Sequence, residues 1–378
     1  MARDIVWLAG ETSGDFIASL VLPQVAQSYP DESMLGIGGD RMIAAGLKPW
    51  HHASALSVRG YVEVLKKLPS LLMLRREMKR RVSRLAPRAF IGVDAPDFNL
   101  SIEESLRQQG IKTIHFVCPS IWAWRPERIH QIKRAVDHML LIFPFEKKLM
   151  DEAGIDSTYI GHPLAREIPM KPDKDVARQK LNIDPLGPVF AVLPGSRQAE
   201  VAWCGPHFFG ACEKLLEFDA RVTFLVPAAD AAREAQIKAL LHQYPKAEKA
   251  TRIISSDSHT VMQASDAILV ASGTATLEAA LFKRPMVVGY SMPGLTGILM
   301  QKKGVIDFVS LPNILAGKRL VPEILQYYCR SETLAYALWH EYQRRNDSEL
   351  IDNFAQMHES LLRDTPKLAA EAIKQVCG

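Results

Sequence analysis

Short apolar runs alternate along the chain with longer segments of helical periodicity, and most of the apolar runs stop at glycine, serine, proline or aspartate. Runs of this length that end in a turn predict buried parallel strands, each followed by a helix. The predicted strands are Asp4–Ala9, Met34–Gly38, Phe90–Val93, Lys112–Val117, Asp137–Ile142, Ser157–Ile160, Val189–Leu193, Arg221–Val226, Arg252–Ile254, Ala267–Val270 and Met286–Val288. The pattern predicts an α/β protein with its ligands at the carboxyl ends of the strands.

Two domains are expected, because 378 residues exceed a single core of typical size. A proline-rich, charged segment, Pro163–Asp175, has the composition of a linker. We therefore predict an amino-terminal Rossmann-like domain over 1–165 and a second over 166–330. The remaining segment, 331–378, is predicted to form amphipathic helices that cover the sheet or cross back to the first domain.

The run from Val189 to Leu193 opens into Pro194-Gly195-Ser196-Arg197, a turn before a helix. Gly195 lets the backbone approach a ligand, Ser196 and the next amides can donate hydrogen bonds, and Arg197 suits phosphate oxygens. An ordinary strand-to-helix turn with a solvated arginine is the alternative interpretation.

A second turn of this kind follows the strand that ends at Val270. Ser272, Gly273 and Thr274 form an anion-binding helix start, and Glu278 can accept two ribose hydroxyls. Glu278 could instead be a capping-box partner of a residue near Thr274. Two such turns in one domain favour a nucleotide ligand.

Acidic residues follow two strands of the first domain. Glu11, Ser13 and Asp15 lie in the turn after the first strand and are predicted to bind the acceptor substrate. The turn lacks a full Gly-x-Gly-x-x-Gly pattern, and Ser13 and Asp15 could equally be helix caps. Asp94 and Asp97 follow the strand that ends at Val93. We interpret Asp94 as a general base and Asp97 as a helix N-cap.

Aromatic residues and a histidine mark two further strand ends. Trp122 and Trp124 offer flat apolar surface for a sugar ring or acyl chain, although packing explains them equally well. His162 either orients a substrate or ends the first domain in a turn.

Cations and surplus apolar residues are combined between Leu56 and Arg88, a segment that Pro69 is predicted to divide into two helices. A core-facing stripe accounts for Leu71, Leu74, Met78, Val82 and Leu85. Residues beyond this stripe suit docking on an anionic membrane: Val62, Leu65, Leu68, Leu72, Arg75 and Arg76. A helix with a well-solvated basic face is the alternative.

Composition narrows the class of protein. Hydrophobic residues make up 48% and charged residues 23%, as in ordinary globular proteins, and the net charge of +4 does not indicate nucleic acid. The five cysteines are far apart, which favours reduced thiols in the cytoplasm and gives no pattern for structural zinc. No apolar run approaches the ~20 residues of a spanning helix, and no signal peptide is seen.

Several motifs together resemble one family, the lipid-A-disaccharide synthases. The motifs are Gly10–Asp15, Gly92–Asn99, Pro119–Trp124, Leu193–Arg197 with Glu200, Ala271–Ala275 with Glu278, and Ser310–Asn313. The resemblance implies a GT-B glycosyltransferase with two Rossmann-like domains facing a central cleft, inverting, without metal or other cofactor. It also implies a peripheral enzyme of the cytoplasmic face of a Gram-negative inner membrane.

The reaction implied joins UDP-2,3-diacylglucosamine to 2,3-diacylglucosamine 1-phosphate, giving the β-1,6-linked lipid A disaccharide and UDP. By the resemblance, Asp94 is the base, Arg197 the essential arginine and Asn313 a functional loop residue. A homodimer with exchanged carboxyl-terminal elements would also agree with the family. Two alternatives are a UDP-sugar 2-epimerase and a non-catalytic sugar-nucleotide sensor.

Overall fold

The fold consists of two compact units, each described here by itself. The computed structural model describes residues 3–56, 61–123, 125–292 and 307–378, with only the backbone for 61–67. The first unit comprises Met1–Arg166 and Ser360–Gly378, and the second comprises Glu167–Glu359.

A parallel sheet of seven strands forms the centre of the first unit, in the order β3-β2-β1-β4-β5-β6-β7. Its strands are β1 (Ile5–Ala9), β2 (Met34–Gly38), β3 (Lys48–His52), β4 (Ala89–Val93), β5 (Lys112–Phe116), β6 (His138–Leu141) and β7 (Ser157–Tyr159). Every residue of β1 and β4 is buried, as the continuous apolar runs predict. Neighbours β1 and β4 pair from Ile5 opposite Ala89 to Ala9 opposite Val93.

Helices cover the sheet of the first unit. They are α1 (Thr12–Ser28), α2 (Asp40–Ala44), α3 (Tyr61–Leu85), α4 (Pro96–Arg107), α5 (Ile129–Ala135), α6 (Pro144–Ala153) and, after the linking helix α7 (Pro163–Glu167), the carboxyl-terminal α17 (Thr365–Cys377). Helix α17 packs against α1 and buries Ala369 and Ile373.

The second unit repeats the plan around six parallel strands in the order β10-β9-β8-β11-β12-β13. Its strands are β8 (Val189–Leu193), β9 (Thr223–Ala228), β10 (Thr251–Ser255), β11 (Ala267–Ala271), β12 (Met286–Tyr290) and β13 (Glu323–Leu325). The helices are α8 (Lys174–Lys180), α9 (Gln198–Phe218), α10 (Ala231–Leu241), α11 (Pro245–Ala250), α12 (Ser258–Ala264), α13 (Thr274–Leu281), α14 (Leu311–Ala316), α15 (Ser331–Gln343) and α16 (Ser348–Leu361), the last of which continues into the first unit. Its core joins β8, α9 and α15 through Phe190, Phe208 and Leu334.

The predicted strands are present, within two residues at each end, and two further strands, β3 and β13, were not predicted. Both lie at an edge of their sheet. Strand β3 reads Lys-Pro-Trp-His-His, with no residue buried, and β13 has three residues, so neither shows the apolar run of a central strand.

Two predictions for the helices were wrong. Pro69 does not divide its segment, because α3 continues through it; Pro69 is exposed, so water can hydrate the carbonyl that loses its partner. In the predicted core stripe Met78 and Val82 are buried, but Leu85 is 38% exposed.

The segment 331–378 is divided between the two units, because α15 packs on α9 in the second unit whereas α17 packs on α1 in the first.

Candidate active site

The strand order of the first sheet reverses between β1 and β4. From β1 the chain adds β2 and β3 on one side, and from β4 it adds β5, β6 and β7 on the other. Ligands of α/β proteins bind outside the carboxyl ends of the strands at such a point. The chain leaves β1 through Gly10 and Glu11 into α1, and it leaves β4 through Asp94 into α4. The topology therefore brings two of the predicted turns to this one place.

Ser13 and Asp94 meet here. The Ser13 hydroxyl donates a hydrogen bond to Asp94 Oδ2 over 3.2 Å, although the two residues are 81 positions apart. Ser13 is exposed and Asp94 half-buried, so the carboxylate remains accessible from outside. The other oxygen, Oδ1, accepts a bond from the Ala95 amide at 2.9 Å. Both oxygens of the carboxylate thus accept a hydrogen bond, of ordinary length from the Ala95 amide and longer from the Ser13 hydroxyl.

The backbone at Asp94 is strained. Asp94 has φ 54° and Ala95 has φ 45°, so two successive residues other than glycine adopt the left-handed region. The Asp94 amide donates to Phe116 O at 2.9 Å, and Asn99 Nδ2 donates to Asp94 O at 2.8 Å. Such strain persists where surrounding contacts determine the conformation, and it is concentrated at functional sites.

Asn99 was missed as a site residue although it ends the Gly92–Asn99 motif. It is fully buried in α4, and its Nδ2 also lies 3.2 Å from Leu8 O at the end of β1. One amide group therefore ties the end of β1 to the turn that carries Asp94. A hydrophobic pattern cannot reveal this role, because the polar group is buried for its hydrogen bonds.

Asp15 has a structural role instead of facing a substrate. It is 6% exposed, and its carboxylate accepts from the amides of Gly39, Arg41 and Met42 at 2.7, 3.2 and 3.1 Å. It therefore caps α2 rather than the helix on which it lies. Glu11, by contrast, is exposed at the N-cap position of α1.

Asp97 is not the N-cap of α4, because that position belongs to Ala95. It lies in the first turn of the helix, exposed, and forms an ion pair with Arg128. The predicted N-cap role was wrong because Pro96 takes the first helical position and moves the start of the helix back by two residues.

Trp122 follows β5 and His162 follows β7, at the carboxyl edge of the first sheet. Trp122 is half-buried, and its indole nitrogen lies 3.4 Å from Glu146 Oε1. His162 is 6% exposed, its Nδ1 accepts from the Leu164 amide, and burial lowers its pKa to about 4, so the ring is neutral. His162 thus fits the turn-forming alternative. Trp124 lies outside the described residues.

The strand order of the second sheet also reverses, between β8 and β11. The two predicted anion-binding turns follow these two strands. The first turn, before α9, is already occupied by Glu200. Its Oε2 accepts from the amides of Ser196 and Arg197 at 3.1 and 3.2 Å, and Gly195, at φ 126°, leaves room for it. A Cβ at Gly195 would lie 2.4 Å from Glu200 Cβ, so this glycine accommodates a side chain of the protein.

Arg197 carries the solvent-accessible cation of this turn. Its guanidinium side chain is 76% exposed and makes a loose contact with Glu200 at 3.3 Å. An exposed pair of this kind contributes little to stability, so the guanidinium can move to an anion at small cost. Glu200 therefore engages the amides of this turn, whereas the guanidinium of Arg197 remains accessible.

The second turn, before α13, is open. Gly273 is its N-cap, with φ 138°, and no side chain caps the helix. Gly273 and Thr274 are exposed, Ser272 is half-buried, and a Cβ at Gly273 would meet no atom of the described residues within 4 Å. The backbone amides at this helix start therefore face free space in which an anion fits.

Glu278 is not a capping-box partner, because it is the fifth residue of α13. Its Oε2 lies 3.6 Å from His259 Nε2 on α12, and this contact with Glu278 raises the pKa of His259. His259 was missed by sequence reasoning; no motif joins a histidine on one helix to a carboxylate on the next.

Asn313 does not face a ligand. It is fully buried: Nδ2 donates to Val321 O and to Glu323 Oε1, both at 2.9 Å, and Oδ1 accepts from the Leu320 and Val321 amides. Every hydrogen-bonding position of the amide is used within the loop. The catalytic role predicted for Asn313 is therefore replaced by one in shaping the backbone.

Glu323, on β13, is the partner that sequence reasoning missed. Its carboxylate also accepts from the Ser310 amide at 2.8 Å and the Ser310 hydroxyl at 2.6 Å. The loop is joined to the open turn by the Leu311 amide, which donates to Thr276 Oγ1 at 3.2 Å. Asn313 and Glu323 thus fix the wall beside the turn at Gly273.

The predicted membrane-facing residues lie on α3. Leu68 and Leu72 are 44% and 37% exposed, Arg75 is half-buried and Arg76 exposed. Met73, which the prediction omitted, is 63% exposed. The side chains of Val62 and Leu65 lie outside the described residues. In the described part of the chain, no helix is long and apolar enough to cross a membrane.

Solved structures similar to this chain share its fold. The calicheamicin glycosyltransferase CalG4 matches with a TM-score of 0.61 at 14% identity, over 100% of this chain and 98% of that one. A structure of Staphylococcus aureus MnaA with UDP matches with a TM-score of 0.64 at 12% identity, over 98% and 95%. The UDP-GlcNAc 2-epimerase of Neisseria meningitidis matches with a TM-score of 0.57 at 10% identity, over 98% of each chain. At these identities the likeness shows the fold, the GT-B architecture, which transferases and epimerases share.

Similarity in sequence distinguishes between a transferase and an epimerase for this chain. The family model described as lipid-A-disaccharide synthetase matches residues 5–373. The lipid-A-disaccharide synthase of Paraburkholderia phymatum is 49% identical, over 98% of this chain and 95% of that protein. The enzyme of the same name from Burkholderia lata is 48% identical, over 98% and 96%. The chain therefore belongs to the lipid-A-disaccharide synthase family and is a glycosyltransferase of lipid A biosynthesis.

Proposed function

We propose that the chain transfers the diacylglucosamine of UDP-2,3-diacylglucosamine to the 6-hydroxyl of 2,3-diacylglucosamine 1-phosphate, with inversion at the anomeric carbon. The products are the β-1,6-linked disaccharide 1-phosphate and UDP. Family membership supports the reaction. The contact between Ser13 and Asp94 at the switch point of the first sheet is the observation that supports the choice of base.

Asp94 acts as the general base in this proposal. The acceptor oxygen attacks the anomeric carbon from the face opposite UDP, the bond from that carbon to the UDP oxygen breaks, and the acceptor proton passes to Asp94. A carboxylate fixed by Ser13 and by the Ala95 amide loses little orientational freedom when the acceptor binds.

Arg197 and the open turn at Gly273 act on the leaving group. As the glycosidic bond breaks, negative charge builds up on the diphosphate, and an exposed guanidinium and free helix amides stabilise it. Glu278 accepts the ribose hydroxyls, since its half-buried carboxylate lies on the second turn of the same helix.

The test is UDP release by purified protein given UDP-2,3-diacylglucosamine, with and without the acceptor, in detergent and with EDTA. We expect release that depends on the acceptor and survives EDTA. Asp94→Asn should lower kcat by about 10²–10⁴ while UDP binding is kept. Asp97→Asn is the matched control, three residues away and exposed. UDP binding without release by the wild type would overturn the transferase and favour a sensor; release without acceptor would also contradict the proposal.

Arg197→Ala tests the leaving-group contact. We expect kcat to fall by about 10²–10³, since one group that stabilises transition-state charge is lost. Arg221→Ala is the control, because Arg221 is equally exposed, at 77%, and is paired with Asp219 in the same unit. Equal activity of both variants would exclude Arg197 from the reaction.

We also propose that α3 docks the protein on the anionic surface that holds its lipid substrates. Leu68, Leu72 and Met73 are exposed among arginines that include Arg76 and Arg80. Co-sedimentation with phosphatidylglycerol vesicles should fall for a Leu72→Ser, Met73→Ser variant. Leu186→Ser is the control, since Leu186 is 90% exposed in the second unit. Unchanged binding, or equal binding to neutral vesicles, would contradict the proposal.

A further inference from the structure

A row of rings lies at the carboxyl ends of β5, β6 and β7 in the first unit. Trp122 meets Phe145 edge to face, with ring centres 5.2 Å apart, and Phe145 stacks on Phe143 at 5.7 Å. His162 continues the row, 5.4 Å from Phe143. Trp122, in the loop after β5, is the half-buried outer end of the row, whereas Phe143 and His162 are buried.

Glu146 lies beneath these rings, 1% exposed, in the first turn of α6. Its two oxygens have different partners. Oε2 accepts from the Phe143 amide at 3.1 Å, which is the usual bond of a capping box, and Oε1 accepts from the indole nitrogen of Trp122 at 3.4 Å. Capping needs only the first of these bonds, so the second oxygen is available to act on Trp122.

Among the described residues, the groups that lower the pKa of Glu146 are hydrogen-bond donors such as the Phe143 amide and the Trp122 indole, and no cation is among them. Burial raises the pKa of Glu146 to about 8, that of the nearby Tyr159 to about 12, and that of Cys118 well above its usual range. The ring of His162 is neutral. A buried carboxyl is costly in such a place unless its hydrogen bonds are made, so the contacts of Oε2 with the Phe143 amide and of Oε1 with the Trp122 indole both stabilise it.

We propose that Glu146 is a positioning residue of the acceptor side: through its second oxygen it fixes the Trp122 indole in the orientation in which the loop 118–123 presents it to the acceptor sugar. This inference rests on the proposed function and on the prediction from the sequence that Trp122 offers its ring to a sugar. Glu146 itself touches no substrate. Its effect is on acceptor binding and not on the donor.

Glu146→Gln separates the two bonds. Glutamine is accepted at this position of a capping box, and its single carbonyl oxygen stays with the buried Phe143 amide, so the indole loses its partner while the fold remains. We expect the KM for the acceptor to rise by about 3- to 10-fold, the effect of one hydrogen bond. The KM for the UDP-sugar and the melting temperature should stay near those of Glu152→Gln, a control on the same helix at a 62% exposed residue.

Trp122→Phe completes a double-mutant cycle. It keeps a ring but removes the N–H, so in its background Glu146→Gln should change the acceptor KM by less than about twofold. Independent, multiplying effects would overturn the proposal. A change in melting temperature alone would also overturn it and assign Glu146 a purely structural role.

An NMR measurement keeps this inference apart from the proposed function. The indole N–H signal that Trp122→Phe removes should shift in Glu146→Gln and stay in place in Glu152→Gln. If the wild type shows no acceptor-dependent UDP release, the proposed function fails, and the indole signal still reports whether Glu146 orients Trp122. An unmoved signal contradicts the inference even in an active enzyme.

Discussion

The Ser13 hydroxyl, on the first turn of α1, donates a hydrogen bond to Asp94 Oδ2 over 3.2 Å. The bond joins the turn after β1 to the turn after β4. The contact orients the carboxylate without burying it. Because the hydroxyl is exposed, its removal leaves no unsatisfied buried group.

Ser13→Ala should therefore lower kcat by about 3- to 10-fold, the value of one hydrogen bond to a charged group, with the melting temperature unchanged. Steady-state UDP release measures it. Ser19→Ala is the control, since the Ser19 hydroxyl on the same helix donates to Phe16 O. Equal kcat for both variants would mean that Ser13 does not orient the base.

Gly195→Ala should destabilise the protein more than Gly273→Ala. Both glycines have positive φ, 126° and 138°, so each alanine incurs backbone strain of about 1–3 kcal/mol. Only at Gly195 does the new Cβ also collide with Glu200, at 2.4 Å from its Cβ. Urea unfolding of the two variants measures the difference. Equal losses would indicate that Glu200 moves away easily.

Asn313→Ala should lower the free energy of unfolding by about 2–4 kcal/mol, because the amides of Leu320 and Val321 lose their acceptor inside the protein. Asn353→Ala, in α16, should lower the free energy of unfolding far less. Glu323→Gln should add less in the Asn313→Ala background than alone, since the two share one bond. Full additivity in urea unfolding would contradict a shared network.

His259 should make the stability of the protein depend on pH. The pKa of His259 is raised chiefly by its contact with Glu278, which outweighs the opposing effect of burial; Glu167 and Asp257 raise this pKa further. A raised pKa in the folded state adds stability that is fully present below the unfolded value of 6.5 and is lost as the pH rises through the folded value.

The measurement is the difference in urea midpoint between wild type and His259→Gln at several pH values. We expect the wild type's advantage to be largest below pH 6.5 and to shrink as the pH rises above it. The midpoint difference isolates His259 from the other histidines. An advantage that does not change with pH would contradict the ion pair with Glu278.

Much of the fold follows from local pattern. Central strands such as β1 and β8 are buried on both faces, so they appear as unbroken apolar runs with sharp ends. The edge strand β3 has one neighbour and no buried residue, so it leaves no such trace. The places of Asp94 and Arg197 near strand ends were predictable too, since Asp94 directly follows the apolar run that ends at Val93 and Arg197 lies in the turn after the run that ends at Leu193.

Residue roles that depend on distant partners were not predictable. Asp15 has the sequence context of a cap for α1, yet it caps α2, because β2 returns beside β1 and brings the Gly39 amide to its carboxylate. Asn313 has the context of an exposed loop residue, yet Glu323 and Val321 enclose it. Hydrogen bonds between residues far apart in sequence leave no periodic signal.

The sequence by itself determined the alternation of strands and helices, the turns at the strand ends and the family, because these depend on short apolar runs and on motifs that lie within a few residues. Only the tertiary structure decided which polar groups were free for chemistry. The pairing of Ser13 with Asp94, the filling of one turn by Glu200 and the opening of the other at Gly273 each depend on where packing places residues that are distant in sequence or on different sides of a turn.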